Sequence, residues 1–220
     1  MLGLYHVLNR GTDKRSIVLD DTDRRRFVRN LYEMNDARPV INMQRKMKAR
    51  HMSEHDRRIP LVHIHAWCLM DNHYHILLSE IVEGGMSKFL QKMNMGYSKY
   101  FNERHARVGT LFQGKTKKVL IENERQFLYI LLYIHCNPLD FLKPARLWRS
   151  KRIGSVSTAL SWLSKYQWSS YMDYVEPTKS HTARILEGSW LFSERDSHVQ
   201  ELTSYLDSLG KNEDATLTLE

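Results

Sequence analysis

The sequence predicts an α+β protein, because short stretches with strand patterns alternate with long stretches that have helical spacing. Residues 4–8 and the hairpin-like segment 67–80, WCLMDNHYHILLSE, have the compact apolar character of β-strands. Apolar side chains recur at helical spacing over residues 86–105 and 122–136. We expect the strands to form a sheet on which these helices pack.

Local signals supply boundaries for the remaining elements. The acidic residues at 20–23 suit the N-terminus of a helix that runs to about residue 33. Asp71 and Asn72 predict the turn between the two strands of the hairpin. Residues 110–121 predict a strand pair or one bent strand, and residues 193–209 predict a C-terminal helix.

Charge is distributed unevenly along the 220 residues. Residues 1–180 contain 30 Lys and Arg against 17 Asp and Glu, whereas residues 181–220 contain 3 against 8. A basic body predicts a polyanionic partner, with nucleic acid as the leading class, although a generic solvated surface has the same composition. The basic segment 44–58 is interpreted as an exposed helix or a mobile arm.

Composition also limits the compartment and the partners. The sequence has only two cysteines, which argues against a disulfide framework and favours a reducing cytoplasm. No apolar run approaches the roughly 18 residues that a membrane span needs, and the N-terminus lacks the pattern of a signal peptide. We therefore expect a cytoplasmic, nucleoid-associated protein with no membrane partner.

His73 and His75 form a candidate metal-binding pair. Side chains alternate along a strand, so these two imidazoles point to one face while Tyr74 points to the other. Neutral imidazole is the commonest metal ligand in proteins, and a strand holds two of them rigidly. Surface histidines with no function occur in the same pattern, so the interpretation depends on what surrounds the pair.

In its motifs the sequence resembles the single-tyrosine HUH transposases of small insertion sequences, and among them the REP-associated tyrosine transposases. The matching motifs, in chain order, are YHVLNRG (5–11), DRRRF (23–27), HAWCLMDNHYHILL (65–78), YSKYFNERHARVGTLFQGK (97–115), YIHCNP (133–138) and WSSY (168–171). The sequence departs from the family at Asp71, where proline is frequent, and residues 36–60 and 149–164 look like insertions.

The resemblance implies a fold and a chemistry. The fold is a central antiparallel β-sheet flanked by helices, of the HUH or ferredoxin-like type. Residues 1–176 correspond to the catalytic domain and residues 177–220 to an acidic helical extension. His73 and His75 correspond to the ligands of a divalent metal, Mg²⁺ or Mn²⁺, Asn137 to a third ligand, and Tyr133 to the nucleophile that nicks and rejoins single-stranded or hairpin DNA.

Four basic residues are candidate DNA contacts. Arg10 follows the first strand, and Lys115, Lys117 and Lys118 lie on the predicted strand near an aromatic side chain, which suits a track for single-stranded DNA. An ordinary solvated edge would contain the same residues. A homodimer is a possible assembly.

Two other functions are compatible with the sequence. A domesticated protein would bind DNA hairpins without productive cleavage. A zinc hydrolase would use His73, His75 and His65 as its ligands.

Overall fold

The computed structural model describes residues 3–39, 58–186 and 195–209. The basic segment 44–58 therefore lies outside the described residues, apart from Arg58. Among the helices within the described ranges, none combines the length and the apolar character that crossing a bilayer requires.

A four-stranded antiparallel sheet forms the centre of the molecule. The strands are β1 (Leu4–Arg10), β2 (Val62–Leu69), β3 (His73–Glu80) and β4 (Lys117–Leu120), and their order across the sheet is β2-β3-β1-β4. The helices are α1 (Asp21–Glu33), α2 (Gly85–Arg104), α3 (Glu124–Cys136), α4 (Val156–Leu163), α5 (Tyr171–Val175) and α6 (Arg195–Leu209). This arrangement confirms the predicted α+β fold class.

The stretch predicted as a strand pair or a bent strand over residues 110–121 is shorter than expected. Only β4 is regular strand, and Phe112 makes one isolated antiparallel bridge to Gly11. Gly114 lies between them with φ of 65°, a left-handed conformation that interrupts an extended chain. The break separates the Phe112 bridge from the lysines of β4.

Helices α1 and α2 cover one face of the sheet. Tyr74 of β3 donates a hydrogen bond to Asn94 Oδ1 of α2 at 2.9 Å, and its ring packs on Phe27 of α1 at a centroid distance of 5.2 Å. Asp20 caps α1 by accepting from the backbone N–H groups of Thr22 and Asp23. Because side chains alternate along β3, the opposite face, which carries His73 and His75, is left for α3.

The outer edge of β2 is covered by the segment that contains the WSSY motif. Leu69 N–H donates to the carbonyl of Trp168 at 2.9 Å, and Ser170 N–H donates to the carbonyl of Trp67 at 2.9 Å. The segment thus satisfies backbone groups that an edge strand would otherwise expose.

Helix α6 packs on the side of α3 that faces away from the sheet. Leu202 and Leu206 of α6 share an apolar cluster with Leu132 and Cys136 of α3. Within the predicted acidic extension, α6 is therefore joined to the body of the molecule by buried apolar contacts. The domain boundary at residues 176 and 177 stays a prediction.

A buried pair of histidines reinforces this contact. Nδ1 of His135 on α3 lies 2.9 Å from Nε2 of His198 on α6, and Nε2 of His135 lies 2.8 Å from Oγ of Ser170. Neutral imidazoles can serve as donor and acceptor at once, which is what this chain of contacts requires.

The burial of His198 predicts a pH-dependent stability. Burial lowers the pKa of His198 from 6.5 to about 4, where its ring faces His135 from α3 and Tyr171 and Tyr174 from α5. Between these pH values the unfolded chain binds a proton that the folded chain does not, so stability falls as the pH falls. The free energy of unfolding, measured in urea, should decrease between pH 6.5 and pH 5 in both proteins. We expect this decrease to be smaller in His198→Gln than in the wild type, by about 2 kcal/mol.

The other buried histidines remain in both proteins, so the difference between the two pH dependences reports His198 together with its effect on His135, whose pKa it helps to lower. Equal pH dependences in the wild type and the variant would contradict the prediction.

Candidate active site

The two histidines of β3 share one face of the sheet with His6 of β1. In the antiparallel register His75 lies opposite Leu8 and His73 opposite Arg10, so His6, two residues before Leu8, points to the same side. The rings of His73 and His75 are 5.0 Å apart between centroids and nearly perpendicular, at 87°.

Each imidazole of the pair uses its Nδ1 atom in a contact with the protein. Nδ1 of His73 lies 2.6 Å from Oδ1 of Asn72, and Nδ1 of His75 lies 3.0 Å from Nε2 of His6. When these Nδ1 atoms carry the protons, each Nε2 presents a lone pair. A metal-binding histidine normally has this second contact, which fixes the tautomer and the ring orientation.

Burial keeps these imidazoles neutral. It lowers the pKa of His6 to about 4, and it lowers the pKa of His73 to about 4 with smaller contributions from Arg10 and Arg149. The pKa of His75 falls well below its usual value, again mainly through burial. Neutral nitrogens at pH 7 are available to a cation without first losing a proton.

Tyr133 lies against this histidine face. Helix α3 presents its ring to His75 at a centroid distance of 5.7 Å and to His6 at 6.3 Å, edge-on in both contacts. Asn123 caps the helix by accepting from the backbone N–H of Gln126. The structure therefore brings a phenol from a late helix, within one chain, against His75 of the mid-chain histidine pair.

Asn137, the predicted third ligand, is buried and its amide already has two partners. Its Nδ2 donates to the carbonyl of Tyr133 at 2.8 Å, and its Oδ1 accepts from Nη2 of Arg149 at 2.7 Å. A cation that binds this oxygen would have to share it with the guanidinium of Arg149 or displace that group. The ligand role of Asn137 stays a prediction.

The described residues do not support a three-histidine zinc site. Nowhere in the described ranges do three His, Cys, Asp or Glu side chains lie close enough to hold one metal ion. His65 is fully buried, and its Nε2 lies 2.8 Å from Oγ of Ser79. His65 therefore does not complete a site with His73 and His75.

The four candidate DNA contacts occupy different positions. Arg10 lies opposite His73, and Lys117 lies opposite Leu8, so both point to the histidine face. Lys118 lies opposite Val7 and points to the other face, where its Nζ donates to Oγ of Ser87 at 3.0 Å. Lys115 is exposed just before β4.

Sequence reasoning missed two residues of this site. His6 is the hydrogen-bond partner of His75. The only local sequence signal for its involvement is that it is a polar residue inside an apolar strand. Arg149 lies in a tight turn, Trp148–Ser150, within a stretch interpreted as an insertion, and no local pattern distinguishes it from the neighbouring basic residues.

Residues 33–135 match a family model described as "Transposase IS200 like". A solved structure of a REP-associated tyrosine transposase bound to a REP hairpin is similar at 14% sequence identity, with a TM-score of 0.49, over 82% of this chain and 83% of that one. No curated protein matches the chain. The match over residues 33–135 confirms the resemblance that the sequence motifs indicated.

Proposed function

We propose that this chain, which resembles the IS200-like transposases over residues 33–135, nicks and rejoins single-stranded DNA at or beside a hairpin, with Tyr133 as the nucleophile. The observation that carries the proposal is the contact of the Tyr133 ring with His75 on the histidine face. We assign residues 1–176 to the catalytic domain and residues 177–220 to an extension, of which helix α6 packs behind α3.

The chemistry is a transesterification. The phenol oxygen of Tyr133 forms a bond to the scissile phosphorus and the bond from phosphorus to the 3′-oxygen breaks, which leaves a 5′-phosphotyrosine and a 3′-OH. The phenolic proton passes to water, and the departing oxygen takes up a proton. The covalent link keeps one phosphodiester for rejoining, which hydrolysis would not.

His73 and His75 would hold the divalent cation of this reaction through their Nε2 atoms. The fit rests on the two Nδ1 contacts, which fix both rings, and on the neutrality of both imidazoles. When bound, a divalent cation supplies positive charge that stabilises the reacting phosphate. Asn137 is proposed as its third ligand once Arg149 releases the amide oxygen.

The DNA is proposed to cross the histidine face of the sheet. Arg10 and Lys117 point to that face, and Lys115 is exposed just before β4. Lys118 contacts Ser87, so it would contact the DNA only where the DNA strand bends around the edge of β4. Because the phenol and the imidazoles come from one chain, a homodimer would add DNA contacts without completing the site.

Replacement of the nucleophile tests the core of the proposal. Wild-type protein incubated with Mg²⁺ and a labelled pool of single-stranded oligonucleotides, each with a hairpin flanked by randomised bases, should form an adduct that survives SDS. Tyr133→Phe should form none, because it lacks the attacking oxygen. Tyr129→Phe is the matched control, since Tyr129 lies one turn earlier on α3 with its ring 6.1 Å from that of Tyr133, and it should form the adduct.

An adduct in Tyr133→Phe would show that another residue is the nucleophile. If the wild type forms no adduct but binds hairpins equally well in EDTA, the chain is a hairpin-binding protein without cleavage.

Removal of the imidazoles tests the metal. We expect the wild type to bind Mn²⁺, measured by the loss of the free-ion EPR signal, and the double variant His73→Asn, His75→Asn to lose this binding. His63→Asn is the control, because His63 lies on β2 and its ring packs on His65 rather than on the pair. Unchanged Mn²⁺ binding in the double variant would contradict the assignment.

Neutralisation of lysines tests the path of the DNA. Lys117→Gln should weaken binding of a single-stranded hairpin oligonucleotide and reduce the slope of log K against log salt by about 0.7 to 0.9, the contribution of one phosphate contact. Lys118→Gln should have a smaller effect, because its side chain points to the other face. Lys99→Gln is the control, since Lys99 pairs with Glu103 on α2; equal salt slopes for all variants would contradict this path.

A further inference from the structure

Arg149 presents a guanidinium group beside the proposed nucleophile. Its Cζ lies 4.4 Å from the centroid of Trp148 and 5.4 Å from the centroid of Tyr133, so the cation is stacked on one aromatic ring and close to a second. The rings of Trp148 and Tyr133 are themselves 5.5 Å apart. The tight turn Trp148–Ser150 thus holds a cation at the rim of the histidine face.

Hydrogen bonds fix the plane of this guanidinium. Nη2 donates to Oδ1 of Asn137 at 2.7 Å, and Nη1 donates to Oδ1 of Asp140. Asp140 also accepts from Nε1 of Trp148 at 2.8 Å, and Asn137 is anchored to the backbone of Tyr133. The guanidinium of Arg149 is therefore oriented by side chains that directly follow the C-terminal end of α3.

The positive charge of Arg149 acts electrostatically on His73 and His75. It contributes, after burial, to lowering the pKa of both His73 and His75. Burial acts to lower the pKa of Arg149 itself, but the Tyr133 phenol and the Asp140 carboxylate outweigh it and the pKa rises. A cation that stays charged, lies next to the phenol and remains one-third exposed is placed for an anionic ligand.

We propose that Arg149 is a catalytic residue that donates hydrogen bonds to the non-bridging oxygens of the scissile phosphate while Tyr133 attacks it. This inference rests on the proposed function. The planar guanidinium offers two parallel donors, which match a phosphate. It exchanges its contacts with Asn137 and Asp140 for phosphate oxygens when DNA arrives.

Attack of the phenol oxygen concentrates negative charge on the non-bridging oxygens before the bond to the 3′-oxygen has broken. Once DNA binding has placed the two donors against the phosphate, they stabilise this charge with no further rearrangement during the attack, and removal of one such donor typically slows a reaction by about 100-fold or more. A purely structural role would instead link Asn137 to Asp140 and would not depend on the charge of the phosphate.

The substrate is one oligonucleotide, selected from the pool because the wild type cleaves it. The experiment measures the rate of adduct formation on this oligonucleotide at saturating concentration. We expect Arg149→Gln to slow the rate by about 100-fold and Arg149→Lys to be intermediate, because an ammonium supplies charge without the paired donors. Arg146→Gln is the matched control, since Arg146 is exposed and has no hydrogen bond or ion pair within the described residues, and it should match the wild type.

A substrate with altered charge separates the two roles. In a methylphosphonate, one non-bridging oxygen of the scissile phosphate is replaced by a methyl group, so the ground-state negative charge and one of the two acceptors for Arg149 are lost. With one of the two diastereomers we expect the ratio of the wild-type rate to the Arg149→Gln rate to fall below about 10. A ratio that is equally large on phosphate and on both methylphosphonates overturns the proposal.

The remaining outcomes are also decisive. Wild-type adduct formation together with an unimpaired Arg149→Gln overturns the role of Arg149 alone. A wild type that forms no adduct overturns the proposed function and this inference with it. If circular dichroism shows that Arg149→Gln does not fold, the same comparison of phosphate and methylphosphonate is made with Arg149→Lys, and an unchanged ratio again overturns the proposal.

Discussion

The candidate site depends on the position of α3 between the sheet and α6. Residues two apart on a helix point in nearly opposite directions, so Tyr133 faces the histidines while His135 faces His198. The apolar cluster of Leu132 and Leu202 and the bridge from His135 to Ser170 hold the back of the helix. A phenol delivered by a rigid helix to a rigid sheet needs no loop to order before it meets the imidazoles.

Around this helix the polar groups form a continuous set. Asn137 connects the Tyr133 backbone to Arg149, and Asp140 connects Arg149 to Trp148. On the sheet side, His6 supports His75 through Nδ1. The candidate reacting groups are thus oriented by neighbours that are themselves packed, which is the arrangement that a positioned nucleophile and a positioned cation both require.

The sequence predicted the elements of the fold better than the contacts between them. The hairpin of β2 and β3, helices α1, α2, α3 and α6, and the shared face of His73 and His75 follow from local sequence patterns, and the motif resemblance suggested Tyr133 as the nucleophile. The contact of His6 with His75 depends on which strand pairs with β3, which local pattern does not encode. Arg149 reaches the site through an irregular turn after Pro138, and its partners are set by tertiary packing.

The two edges of the sheet are protected in different ways, and this has a consequence for solubility. Backbone pairing with the segment around Ser169 covers the edge of β2. In the described part of the chain no strand pairs with the outer side of β4, which carries the charged side chains of Lys117 and Lys118. Positive charges on an open edge discourage a second copy from adding its own strand there. A chain with both lysines neutralised would have lost that repulsion, and it would be prone to associate edge to edge even though its interior were unchanged.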